Sequence, residues 1–172
     1  MWKWLLGPIL GFMVSFSVLA NVVMVRQTLS EQGVSLEVPV GFKPMDEAMK
    51  KVKYPSSHSP QVVLTDVSSK VNIALTMGYL PLKHEQVASY KDLLIKMMRN
   101  YHPVAEHVTV DKTKDAWLLS FTSQAMDADI HNVMLITSVN DKAAILAFNC
   151  TDDIWNLYKN TARESLLSAH FF

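Results

Sequence analysis

Trp117-Leu-Leu-Ser-Phe-Thr122, Val133-Met-Leu-Ile-Thr-Ser-Val139 and Ala143-Ala-Ile-Leu-Ala-Phe148 are the three runs that decide the fold. Each has the length of a strand and carries β-branched or aromatic residues. Only Asn140-Asp141-Lys142 separates the last two, and these polar residues suit a hairpin turn. The trio therefore reads as an antiparallel meander. Upstream, Pro103 stops the clearest helical pattern, about Glu85 to Tyr101. In it Val87, Tyr90, Leu94, Met97 and Tyr101 recur at helical spacing, while Lys91, Lys96 and Arg99 point elsewhere. Downstream, Thr151 is a good N-cap, and Asp152 and Asp153 suit the positive end of a helix dipole. The helix that follows carries Trp155, Tyr158, Ala162 and Leu166 on one face.

Further toward the N-terminus, Gln61 to Thr65 and Val71 to Met77 read as strands around the polar turn Asp66 to Lys70. A short helix, Asp46 to Val52, precedes the loop Tyr54-Pro-Ser-Ser-His-Ser-Pro60, whose prolines and serines are breakers. Val22 to Thr28 and Val34 to Val38 form the arms of a hairpin turning at Ser30-Glu-Gln-Gly33. The expected class is α+β: a mostly antiparallel β-sheet flanked by helices. Trp117, Phe121, Leu135 and Leu146 are expected to face inward against Leu94 and Met97.

The chain has 172 residues, 49% hydrophobic and 19% charged, which describes a globular protein with room for one domain. Sixteen basic residues balance sixteen acidic ones, so the basic stripe of a nucleic-acid binder is missing. The single cysteine, Cys150, has no partner for an internal disulfide.

Lys3, an apolar run from Leu5 to Phe16 and then Val18-Leu19-Ala20 have the form of a signal peptide over residues 1–20, leaving a single domain over 21–172. The rival is an uncleaved signal anchor reaching to about residue 25, since some twenty apolar residues can just span a bilayer. Cleavage after Ala20 is preferred, because Val22 to Val25 cannot lie both in the hairpin and in lipid. The expected location is the periplasm after cleavage, or the inner membrane with the domain on the periplasmic side. In both cases the membrane is met only through the N-terminal segment.

Val34-Ser-Leu-Glu-Val-Pro-Val-Gly-Phe-Lys-Pro44 looks like the "strand, Pro, Gly-Phe" opening of DcrB-like proteins. Lys53-Tyr54-Pro55, Pro60, Thr65 and Asn72-Ile73-Ala74 look like a pattern of the same small proteins. The chain thus resembles a DcrB-like protein of the PsbP-like α/β/α sandwich superfamily over nearly all of its mature length. The resemblance implies that sandwich fold, shared by bacterial envelope proteins, photosystem accessory proteins, and chaperones or immunity proteins linked to type VI secretion. Its motifs are structural, so no catalytic residue comes with it. DcrB is a lipoprotein, and this chain departs from it by lacking a cysteine near the cleavage point.

The residues that could carry chemistry give no catalytic or metal-ligating constellation. The six histidines have no zinc-ligand spacing such as His-Glu-x-x-His. Ser57-His58 sits in a loop without a Gly-x-Ser-x-Gly elbow. Cys150 stands next to Asp152 and Asp153, which raise a thiol's pKa and blunt it. Asp127 and Asp129 lack the further oxygen ligands that calcium needs. Five glycines, two of them in the leader, leave no phosphate-cradling loop, and no cofactor is expected.

The expectation is a non-enzymatic envelope protein that binds a protein partner, in a DcrB-like accessory role. Tyr54, His58 and Met126 are the candidate contacts, because binding residues concentrate on loops held by a rigid scaffold. Two alternatives stand beside it: a periplasmic immunity protein that neutralises a secreted toxin, and a small envelope hydrolase whose site is assembled only by folding.

Overall fold

The structure, a computed structural model, describes residues 22–57, 59–125 and 127–172. The leader with its two readings, His58 and Met126 lie outside the described residues. The elements are β1 (Met24–Leu29), β2 (Val34–Pro39), β3 (Lys43–Pro44), α1 (Glu47–Lys53), β4 (Val62–Thr65), β5 (Val71–Pro81) and α2 (Val87–Met97). They continue with β6 (Val104–Val110), β7 (Lys114–Gln124), β8 (Asp129–Val139), β9 (Lys142–Thr151), α3 (Asp152–Leu167) and β10 (His170–Phe171). Seven strands form one sheet in the order β3-β4-β5-β9-β8-β7-β6, and β1-β2-β10 form a small second sheet. Every pairing is antiparallel. The α+β expectation holds.

Local chemistry explains the turns. Asn140 and Asp141 both take positive φ, 52° and 56°, which the two-residue hairpin between β8 and β9 requires. Gly33, at φ 64°, ends the turn between β1 and β2, and a Cβ there would lie 2.8 Å from the Phe172 carbonyl oxygen. Conformation and space both demand glycine at that point. Asp46 caps α1 by accepting a bond from the Met49 amide. Thr151 is the N-cap residue of α3, yet its hydroxyl donates to the Asp153 carboxylate and leaves the helix amides alone.

The large sheet is apolar on both faces. On one, Leu118, Leu135 and Leu146 stand in cross-strand register and pack with Phe148, Ala162 and Leu166 of α3 and with Val34, Leu36 and Val38 of β2. On the other, Leu119 and Ile136 pack under α2 through Val87, Tyr90, Leu94, Ile95 and Met98. The result is layered: α3 and the small sheet, the large sheet, then α2, with Met45 and Tyr54 beside the exposed α1 packed further along the same face.

Five expectations need correction. Leu135 and Leu146 are fully buried, but on the face opposite to Trp117, so they meet α3 and not Leu94. Strands buried on both sides read as unbroken apolar runs, from which the facing of a given residue cannot be extracted. Met97 and Tyr101 are 72% and 48% exposed. The packed stripe runs from Leu94 to Met98, one turn on, and the α-helix gives way to a tighter 3-10 turn at Arg99–Tyr101. The helix is therefore shorter than the Glu85 to Tyr101 pattern. Finally, β6 is a full strand where none was expected, and β5 continues beyond Met77 through a register shift near Gly78, φ 73°. Among the described residues, no helix is long and apolar enough to cross a membrane.

Candidate functional site

α2 covers one end of this sheet face, Met45 and Tyr54 on either side of α1 pack on the other, and a seam runs between them. The α2 cluster reaches Met134 on β8, while the cluster of Met45, Val63, Ala74 and Tyr54 reaches Ala147 on β9. Met134 and Ala147 are cross-strand partners, so the two clusters meet there. Two residues further along the strands lies a polar row in direct register: Thr65, Asn72, Asn149 and Asn132. Thr65 donates to Asn72 Oδ1 at 2.8 Å. Asn132 donates to Ser123 Oγ at 3.0 Å and to the Ile130 carbonyl at 2.9 Å. Asn149 donates to Tyr54 Oη at 3.5 Å, and its Oδ1 is buried without a hydrogen-bond partner among the described residues. A buried, unmatched amide oxygen costs about 1–3 kcal/mol.

Of the three loop residues expected to bind, only Tyr54 lies among the described residues. It ends α1, half-buried, with its ring in the small core and its hydroxyl over Asn149. Burial pushes its phenol above the ordinary value, and the Asn149 bond opposes this. Tyr54 therefore anchors the seam as much as it offers a surface.

Beside the seam, α2 and the 3-10 turn that follows it present a partly exposed apolar shoulder. Leu93, Met97 and Tyr101 follow each other at intervals of four and are 51%, 72% and 48% exposed. The Tyr101 ring approaches Phe121 on β7, with centroids 5.9 Å apart. Spacing alone predicted Met97 and Tyr101 as packed, so their role as surface became visible only when Met98 took the inward position.

One arrangement has the composition of a catalytic relay. Thr122 Oγ1 lies 3.3 Å from His131 Nδ1, and His131 Nε2 lies 2.7 Å from Asp152 Oδ1. The imidazole stacks on Trp155, centroids 4.6 Å apart and planes within 8°. Hydroxyl, base and orienting carboxylate stand in the right order. However, Thr122 and Asp152 are exposed, whereas such a carboxylate works when buried. Asp152 also occupies the first turn of α3, where the helix dipole favours an anion. The contact pins the start of α3 to β8.

Three more histidines make similar surface contacts. His84 and His107 approach the two oxygens of Asp115 at 3.3 and 3.4 Å, and His170 Nδ1 meets Asp111 at 2.5 Å. Among the described residues no group of three His, Cys, Asp or Glu side chains is placed to hold a metal ion. Cys150 is fully buried, and burial, helped by Asp153, Asp66 and Asp152, pushes its thiol up to about 12. It is no nucleophile at neutral pH.

No family model matches the chain, and no curated protein matches it. Solved structures do. Cyanobacterial PsbP (CyanoP) from Synechocystis sp. PCC 6803 superposes with a TM-score of 0.58 at 14% identity, covering 94% of this chain and 100% of that one. LpqN, involved in cell envelope biogenesis of Mycobacterium tuberculosis, superposes with a TM-score of 0.53 at 13% identity, covering 86% and 90%. At such identities the likeness is one of architecture, and the architecture of this chain is PsbP-like.

Proposed function

We propose that this chain is a non-enzymatic accessory protein of the cell envelope that acts by binding a protein partner, in a role of the DcrB-like kind. The observation that carries the reading is the α2 shoulder: Leu93, Met97 and Tyr101, partly exposed and next to a polar seam. Singly scattered exposed apolar residues are ordinary, but these three gather along α2 and the 3-10 turn after it, which supports an interaction surface there. The apolar leader supports delivery across a membrane. The PsbP-like fold supports it as well, since LpqN is described in the context of envelope biogenesis. The partner's identity decides between a resident envelope protein and an incoming toxin.

The test is capture from envelope extract by the full chain, compared with Leu93→Asp and Met97→Glu variants. We predict one specific partner, lost from the variants while their melting temperatures stay unchanged. Capture that is indifferent to both changes would reject the shoulder. A second reading, a small hydrolase, has Thr122, His131 and Asp152 in its favour. Ester or amide hydrolysis by the purified chain that vanishes in His131→Ala would establish it instead.

A further inference from the structure

The large sheet has two edges, and they differ. One is β3, two residues long and ending in Pro44, which has no amide to donate. The other is β6, seven residues in unbroken register with β7, with no bulge and no proline. Among the described residues no strand pairs with its outer side. Native edges of this length are usually guarded by a free charge, a bulge or a covering element. Here the two ionisable residues of β6 are turned to other work. Glu106 is held by Arg163 of α3 at 2.5 Å, and His107 lies 3.4 Å from Asp115 against the Trp117 ring. Val104, at 69% exposure, and Thr109 complete a β-prone rim whose ionisable side chains, Glu106 and His107, are half-exposed and in contact with Arg163 and Asp115.

Charge then selects the occupant. At either end of β6 stand exposed cations with no ion-pair partner among the described residues, Arg99 before it and Lys112 after it. Two nearby acids are ion-paired, Glu106 with Arg163 and Asp111 with Lys114, and Asp115 lies against the His84 and His107 rings. We propose that β6 is a strand-addition site for an extended segment of the partner protein, apolar and β-branched at its centre and acidic at its ends. Main-chain bonds to β6 supply affinity, and Arg99 and Lys112 supply selection and orientation. A second copy of this chain is the weaker fit. Two-fold pairing of β6 with itself centres on one residue, and two of its central registers set Glu106 against Glu106 or His107 against His107. This inference rests on the partner-binding reading and adds to the shoulder a second contact, through which an extended segment of the partner docks.

The experiment uses the full chain in mild detergent and a synthetic strand, Asp-Glu-Val-Thr-Val-Thr-Val-Glu-Asp, followed by fluorescence polarisation and amide hydrogen exchange. Binding should protect β6 amides. It should weaken by roughly tenfold when the peptide's acidic ends are replaced by lysines. N-methylation of alternate peptide nitrogens should abolish it. The double variant Arg99→Glu, Lys112→Glu, at two exposed sites, should prefer the lysine-ended peptide with an unchanged melting temperature. Binding that survives N-methylation, or that leaves β6 amides exchanging freely, overturns the proposal. So does a peptide-free dimer whose β6 amides are already protected, which would assign the edge to a second copy. If partner capture succeeds while β6 exchanges freely in the captured complex, strand addition fails and the partner-binding reading stands.

Discussion

At the scale of one residue, Asn149 carries a local cost to stability. Its Oδ1 is buried and, among the described residues, unmatched, in the middle of a row whose neighbours, Asn72 and Asn132, are bonded. Replacing an unsatisfied buried amide by an apolar group of similar size removes a desolvation cost without removing a strong bond. We predict that Asn149→Leu melts at the same temperature as the parent or higher, checked by calorimetry. A loss above about 2 kcal/mol would show that the amide is a structural bond after all. Cys150 offers a second single-residue test. With its thiol pushed up to about 12, the reactive thiolate is essentially absent between pH 7 and 9. Ellman's reagent should label Cys150 only after denaturation. Rapid labelling of the native chain would contradict the burial. Gly33→Ala adds a third, because it meets both a positive φ and the Phe172 carbonyl. Its expected cost is about 1–2 kcal/mol, read from a urea melt.

At the scale of elements, α2 separates packing from surface most sharply. Met98 packs against the sheet cluster, whereas Met97, its neighbour in the chain, is 72% exposed. Met98→Asp should cost about 2–4 kcal/mol, and Met97→Asp should stay within about 0.5 kcal/mol. The reverse order in a denaturant titration would restore the inward face that spacing alone suggested. The helix was legible as a helix because its apolar residues recur every three or four positions. Its exact face was not, since Leu93, Leu94, Ile95, Met97 and Met98 make the apolar stripe wider than the contact it has to fill. β6 was missed for a different reason. Val104, Val108 and Val110 share a face with Glu106, so the alternation is broken in sequence. Only the Arg163 contact makes that glutamate at home there. The polar seam could not be read at all, because four strands separated by many residues supply one side chain each.

The whole molecule combines these layers, and its response to acid reports on how they are joined. The Arg163 bond lowers Glu106, which links α3 to β6, and the Lys70 bond lowers Asp153, at the start of α3. Burial alone would raise Asp111, but the His170 bond, the Phe171 amide and Lys114 outweigh it and hold it low. A carboxylate whose folded pKa is depressed stabilises the fold fully above its unfolded value and loses that contribution as pH falls through the folded one. We predict that the urea midpoint falls as pH drops below about 4, and that Asp111→Asn flattens this decline. A variant with an unaltered acid limb would show that the β10 tie is not energetically coupled to the fold. The hairpins, the helices and the overall class were readable because turn chemistry and periodicity are local. The two-faced burial of the large sheet was not, and it is the feature that leaves α2 with an outward apolar shoulder.

That shoulder is the centre of the account, and site-specific photo-crosslinking tests it most directly. A photoreactive residue is placed at Met97, with Val52 as control, a residue on α1 that is 76% exposed. In cells that naturally make the protein, the account predicts one discrete crosslinked species from position 97 and none from position 52. Equal or absent crosslinking from both positions would contradict it.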